Sequence, residues 1–161
     1  EGEGGIAEAL GLARTFADGN PVCLVLGDNL IEDNISDFVR DFDENPEGAL
    51  LVLKKVEDPE RFGVARFDGD EMVEIIEKPE TPPSDRAVTG IYFYDGGVFD
   101  IIPRLERSAR GELEITDVNN DYIRRGALRW RELKGWWTDA GTFPSLFRAN
   151  RLVSEMRANK A

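Results

Sequence analysis

A chain of 161 residues with 41% hydrophobic and 9% aromatic side chains has the size and composition of one folded domain, which excludes wholesale disorder. It contains no histidine, which removes Ser–His and Cys–His catalysis, histidine general bases and histidine metal ligands together. A formal charge of −12 speaks against a nucleic-acid partner, since phosphate backbones reward clustered Lys and Arg, and a single cysteine excludes an intrachain disulfide.

The first residues, Glu1 to Gly5, form neither a basic nor an apolar leader, and no apolar run of about 18 residues follows, so no signal peptide and no membrane span are expected. The composition permits a cytosolic protein without requiring one, and a cytoplasmic location is the expectation carried forward. Gly2, Gly4 and Gly5 follow no strand and match no phosphate-loop template; they read as a tail or turn. The chain lacks an initiating Met and a helical pattern begins almost at once, which suggests an N-terminal truncation.

Ile6, Leu10, Ala13 and Phe16 or Ala17 recur at helical spacing, predicting one helix that ends near Asp18-Gly19-Asn20. Val22 to Leu26 is a short continuous apolar run, the pattern of a strand buried on both faces in a parallel sheet, with Cys23 as core filler rather than nucleophile. Ile35, Phe38, Val39 and Phe42 mark a second helix closing near Glu44-Asn45-Pro46, and Ala49 to Leu53 is another buried strand; the alternation implies an open α/β sheet. Val64 to Phe67 and Met72 to Ile76, joined by Asp68-Gly69-Asp70, read as a hairpin. Beyond a Pro-rich loop, Val88 to Tyr94 reads as a strand and Val98 to Ile102 as a helical turn ended by Pro103. Thr116 is placed as the N-cap of a helix over Val118 to Arg125 that Gly126 stops. Leu128 to Leu133 is a late strand, and Pro144 opens a closing helix on which Leu146, Asn150, Val153 and Met156 share a face.

Four charged residues stand out against this scaffold. Asp28 follows a buried strand at the carboxyl edge of the sheet, where open α/β folds bind ligands; it could hold an oxygen-loving cation such as Mg²⁺, or simply make a turn. Asp139 precedes a small-residue turn, where helix capping is the alternative; spacing alone cannot pair it with Asp28. Lys78 leaves a strand just before Pro79, so its backbone is expected to be extended, and its charge could meet a phosphate or lie on the surface. Arg110 could fork onto a phosphate, with Gly111 turning the backbone beside it. The neighbouring tryptophans read as core or pocket wall.

Taken in order, Gly5–Ala9, Leu26–Asn29, Arg61–Val64, Glu77–Pro79, Val88–Tyr92, Arg110–Asp117 and Trp137–Thr142 resemble the glucose-1-phosphate thymidylyltransferases within the nucleoside-diphosphate-sugar pyrophosphorylases. The resemblance covers nearly the whole chain, and Arg110-Gly111-Glu112-Leu113-Glu114-Ile115-Thr116-Asp117 is its most specific piece. It implies a Rossmann-like α/β fold with a mixed sheet flanked by helices, residues 1–161 forming the C-terminal portion of a single nucleotidyltransferase domain. It also implies a reaction joining a nucleoside triphosphate, dTTP, to glucose 1-phosphate with release of pyrophosphate. Asp28 and Asp139 are then the Mg²⁺ ligands, and Lys78 and Arg110 grip the sugar phosphate. The backbones of Gly63 and Val88, with Glu77 and Asn29, hold the sugar hydroxyls; Trp137 lines that pocket, and Gly5 lies beside the nucleotide base.

The pattern departs from the family at its start. The opening strand, the Gly-rich loop and the following Arg and Lys that cradle the triphosphate are not in this sequence, and Glu3 stands where a proline is expected. The chain alone is therefore expected to be inactive, with an exposed apolar seam; a homo-oligomer is an expectation for the full-length enzyme. Three rival readings are a uridylyl- or guanylyltransferase for another sugar phosphate, a non-catalytic nucleotide-sugar-binding module, and an unassigned acidic α/β domain.

Overall fold

A computed structural model describes residues 4–158; Gly2, Glu3 and the readings that fall on them lie outside that range. The first helical stretch is two short pieces, α1 (Ile6–Gly11) and α2 (Arg14–Ala17), rather than one. Between them Leu12 shares its N–H between Glu8 and Ala9 and Ala13 donates to Leu10, the tightened i→i−3 pattern of a fraying end. Asp18, in the left-handed region at φ 48, closes the second piece.

The central sheet has six strands. β5 (Glu71–Glu77), β4 (Gly63–Asp68), β6 (Arg86–Tyr94), β3 (Ala49–Lys55) and β7 (Leu128–Glu132) lie side by side in that order, and β1 (Val22–Val25) also pairs with β6. The sheet is mixed, and β3 with β7 is its parallel pair among the described residues. β1 corrects an expectation: it runs antiparallel to β6 and is buried on one face only. Val22 and Leu24 pack on the core, while Cys23 and Val25 face outward. Cys23 is therefore exposed rather than core filler, although neighbouring protein crowds its thiol and pushes its pKa up to about 11.

β3 behaves as read. Its apolar run alternates between two cores, because successive side chains leave a strand on opposite faces. Leu51 and Leu53 join Tyr92, Tyr94, Val98, Val118 and Tyr122 beneath α1, α4 (Val98–Ile101) and α5 (Ile115–Arg124). Leu50 and Val52 join Phe42 of α3 (Ser36–Glu44), Phe93, Leu133 and Trp137 on the other side. Pro103 does not end the α4 turn; it sits inside a 3-10 turn, Ile102–Arg104, that continues it. Thr116 is not a cap: it lies in the first turn of α5, and its hydroxyl is engaged elsewhere. On the closing helix α6 (Phe143–Ala158) the inward residues are Ser145 and Ala149, with Leu152, Val153 and Met156 half-buried; Leu146 and Asn150 are exposed. The expected face was displaced by a fraction of a turn.

Two strands without a sequence signal complete the molecule. β2 (Asn29–Ile31) and β8 (Trp137–Asp139) form a separate antiparallel ribbon with Asn29 opposite Asp139 and Ile31 opposite Trp137.

Candidate active site

That ribbon closes the distance between Asp28 and Asp139. The residue after β8, Ala140, donates its N–H to the carbonyl of Asp28 at 2.8 Å, locking the two strand ends together. Gly141 leaves a gap beside them: a Cβ built there would stand 3.3 Å from one Asp28 carboxylate oxygen and 3.6 Å from one of Asp139. The two oxygens therefore lie no further apart than the sum of those distances, beside the space that Gly141 leaves. Asp139 also accepts long contacts from Arg61, 3.3 Å at each oxygen, and a 3.4 Å bond from Ser145.

Asn29 ties this carboxylate pair to the pocket floor. Its Nδ2 donates to Asp28 Oδ1 at 2.9 Å, while its Oδ1 accepts the N–H of Gly90 at 3.0 Å and Nε1–H of Trp137 at 2.6 Å. Gly90 lies on β6, so the ribbon is pinned to the central sheet. The Trp137 ring meets Phe62 edge-on at 4.9 Å, forming one wall.

The same cleft carries the charges expected to meet phosphate. Lys78 corrects the pre-proline expectation: its backbone is left-handed, φ 43, and its N–H donates to the carbonyl of Phe62 at 3.0 Å. Proline disfavours the right-handed helical region for the residue before it, but a tertiary hydrogen bond decided the outcome here. Its Nζ stands 3.9 Å from Glu77, whose other oxygen accepts the Thr116 hydroxyl at 2.8 Å. Arg110 forks onto Glu114 with two contacts of 2.9 Å, and Glu112 and Glu77 stand at 3.5 and 3.9 Å. The hydrogen bond to Glu114 and the three surrounding carboxylates raise its already high pKa, so it is a permanent cation. Gly111, at φ +81, makes the turn that presents it. On the floor, burial first, then the Glu77 and Asp28 charges, raise the pKa of Tyr92 and keep its phenol neutral.

These residues line one cleft of about 290 Å³, near the lower end for small-molecule sites. Asp28, Asn29, Gly63, Glu77, Lys78, Val88, Arg110, Trp137 and Asp139 all line it; Gly5 does not. Gly5 (φ +85) lies against Leu113, where a Cβ would come within 2.5 Å of the carbonyl oxygen. Sequence reasoning missed Arg61, Thr116, Glu112, Glu114 and Tyr92 as cleft residues, though all five sit inside the quoted fragments. Among the described residues no three His, Cys, Asp or Glu side chains gather as a metal cage. What the cleft offers is the Asp28–Asp139 carboxylate pair with three cations, Arg61, Lys78 and Arg110, in the same lining.

A mixed sheet flanked by helices, with a charged cleft lined from its strands and the loops beside them, defines an α/β domain. The nucleotidyl transferase family matches residues 1–156, and the chain belongs to that family. It is 44% identical over 157 residues to a glucose-1-phosphate thymidylyltransferase of Xanthomonas campestris, covering 95% of this chain and 53% of that one. A low-salt glycan biosynthesis nucleotidyltransferase of Haloferax volcanii is 38% identical over 97% of this chain and 44% of its own length. The chain thus spans about half the length of the curated relatives it matches. A Bacillus anthracis structure assigned as a glucose-1-phosphate thymidylyltransferase, solved with sucrose, superposes with TM-score 0.88 at 53% identity over 94% of this chain and 62% of its own. A UDP-glucose pyrophosphorylase shares the fold at 21% identity, TM-score 0.85.

Proposed function

We propose that this chain supplies the sugar-phosphate half of a nucleotidylyltransferase that joins a nucleoside triphosphate, dTTP, to glucose 1-phosphate and releases pyrophosphate. The observation that carries the reading is that the Asp28–Asp139 pair and the cations Lys78 and Arg110 line one cleft. The name of the Xanthomonas campestris relative at 44% identity supports the choice of substrates.

The chemistry needs no enzyme nucleophile. An anionic oxygen of the sugar phosphate attacks the α-phosphorus, a new P–O bond forms, and the bond to the β-phosphate breaks with pyrophosphate as leaving group. No proton must be removed from the attacking atom, which suits a chain without histidine. Lys78 and Arg110 neutralise the sugar phosphate so that two polyanions can approach, and the forked Arg110 exchanges Glu114 for phosphate oxygens as it does so. Glu77, the Gly63 and Val88 backbones and Trp137 orient the sugar; Asn29 stands beside them. Asp28 and Asp139 fit Mg²⁺, which favours one or two carboxylates plus substrate phosphates, and the hollow that Gly141 leaves between them gives it room. When bound, the ion supplies charge stabilisation at the reacting phosphate. The reading carries a cytoplasmic location with it, where nucleoside triphosphates are made and used.

The test is turnover of a nucleotide panel with glucose 1-phosphate by the whole protein that contains this chain. We expect dTTP to be preferred and Asp28→Asn and Asp139→Asn each to lower kcat roughly 10²–10³-fold, the scale of losing one preorganised charge contact. Undiminished turnover in either variant would overturn the two-carboxylate reading. Metal-independent binding of dTDP-glucose without turnover would favour a nucleotide-sugar-binding module instead.

A further inference from the structure

Arg61 is the cation nearest the carboxylate pair, and its contacts are unequal. Nη1 donates to Asp58 at 2.8 Å, inside the range of a strong charge-assisted bond, and the guanidinium lies 5.1 Å from the Phe62 ring centre. The anchor is local: Asp58 caps the 3-10 turn Pro59–Arg61, in which Arg61 donates to the Asp58 carbonyl and Phe62 to the Pro59 carbonyl. Toward Asp139 the same guanidinium reaches only 3.3 Å at each oxygen, the outer limit for a hydrogen bond. It is held by Asp58 and leans on Asp139.

Its surroundings give it room to stand aside. Arg61, Phe62, Trp137 and Asp139 line the cleft and also a second cavity of about 430 Å³ behind it, so the side chain forms part of the partition between the two. A guanidinium beside a carboxylate pair does what a bound cation does: it offsets the repulsion of two like charges held close.

We propose that Arg61 is an internal counter-ion for Asp139 that competes with a divalent cation for the carboxylate pair, with Asp58 setting how strongly it competes. Arg61 is a positioning residue; it acts through Asp139. The inference rests on the reading of Asp28 and Asp139 as a cation site. Without the guanidinium, the pair binds a divalent ion more tightly. Without the Asp58 anchor, the guanidinium closes onto Asp139 and the ion binds more weakly. Two neighbouring substitutions thus move affinity in opposite directions, which lost packing alone does not do.

The experiment is Mn²⁺ titration of the whole protein that contains this chain, followed by water-proton relaxation, for wild type, Arg61→Met, Asp58→Asn and the double variant, each checked for folding by circular dichroism. Arg61→Met should tighten Mn²⁺ binding roughly three- to tenfold and Asp58→Asn should weaken it about two- to threefold, the scale of one charge at several ångströms near a solvated surface. The double variant should match Arg61→Met, because the Asp58 effect is routed through Arg61. An Asp58→Asn loss that persists unchanged in the Arg61→Met background would overturn the proposal, reducing Asp58 to a distant negative charge. Weaker or unchanged binding in Arg61→Met would overturn it as well, while leaving the carboxylate reading intact. Wild type that binds no Mn²⁺, with Asp28→Asn indistinguishable from it, would sink both.

Discussion

Lys78 is held in a backbone conformation that costs a non-glycine residue about 1–2 kcal/mol, and it keeps that conformation next to a proline. Its N–H bond to Phe62 and the β4–β5 pairing beside it, with Gly63 opposite Glu77, over-determine the geometry. Strain concentrated on a cleft lysine separates what the backbone wants from what the side chain does. Comparing Lys78→Gly with Lys78→Ala isolates the backbone part, because both remove the ammonium. At ordinary positions glycine is the less stable of the two by roughly 0.5–1 kcal/mol; at φ 43 the order should invert, with glycine the more stable by about 1 kcal/mol in urea unfolding. Both should lose turnover alike in the whole protein, by roughly 3 kcal/mol of barrier if the ammonium acts as a preorganised charge. Alanine proving the more stable would mean that the strained geometry is not kept in solution. None of this was legible in Glu77-Lys78-Pro79, where only the local steric rule could be applied.

At the scale of elements, long regular pieces were legible and short joining ones were not. The Ala49 run, the Asp68-Gly69-Asp70 hairpin and the helix over Ile35 to Phe42 carry period or continuity enough to be read, and the structure has them. β2 and β8 have three residues each and no pattern, yet they bring Asp28 beside Asp139. Trp137 packs on the sheet, and the hydrogen-bonded link to it runs through Asn29 and one glycine. A Cβ on Gly90 would stand 2.4 Å from Asn29 Nδ2, so the strand can approach the amide only where a side chain is missing. Gly90→Ala should cost about 1–3 kcal/mol by overpacking and shift the Trp137 fluorescence as the indole loses its Asn29 acceptor. Adding Asn29→Ala removes the collision, so the double variant should be more stable than the sum of the single losses predicts; strict additivity would show that the two residues do not meet. β1 failed to read for a different reason: an apolar run says that a strand can be covered, and only the assembled sheet says whether it is.

For the whole molecule, the cleft was legible through the order of several fragments, each weak alone, because order along the chain preserves a topology that spacing cannot express. The charge is legible in another way, since 32 acidic against 20 basic residues leave the surface with an excess that no internal pairing can cancel. Two salt effects then oppose each other. Added NaCl weakens ion pairs such as Arg14–Asp100, Arg66–Glu74 and Arg151–Glu155, but these are exposed and worth about 0–1 kcal/mol each. It also screens the self-repulsion of a −12 surface, which acts over the whole chain and falls steeply as the screening length shrinks from about 10 Å to a few ångströms. Repulsion should win, raising the thermal midpoint between 0.1 and 1 M NaCl by about 2–4 °C, the equivalent of roughly 1 kcal/mol for a chain of this size. Circular dichroism melts at both salts decide it. A midpoint that falls would place the balance with the ion pairs, and the four-member cluster of Arg110 with Glu77, Glu112 and Glu114 would be the first to examine, because it pairs one cation with three carboxylates at the rim of the cleft.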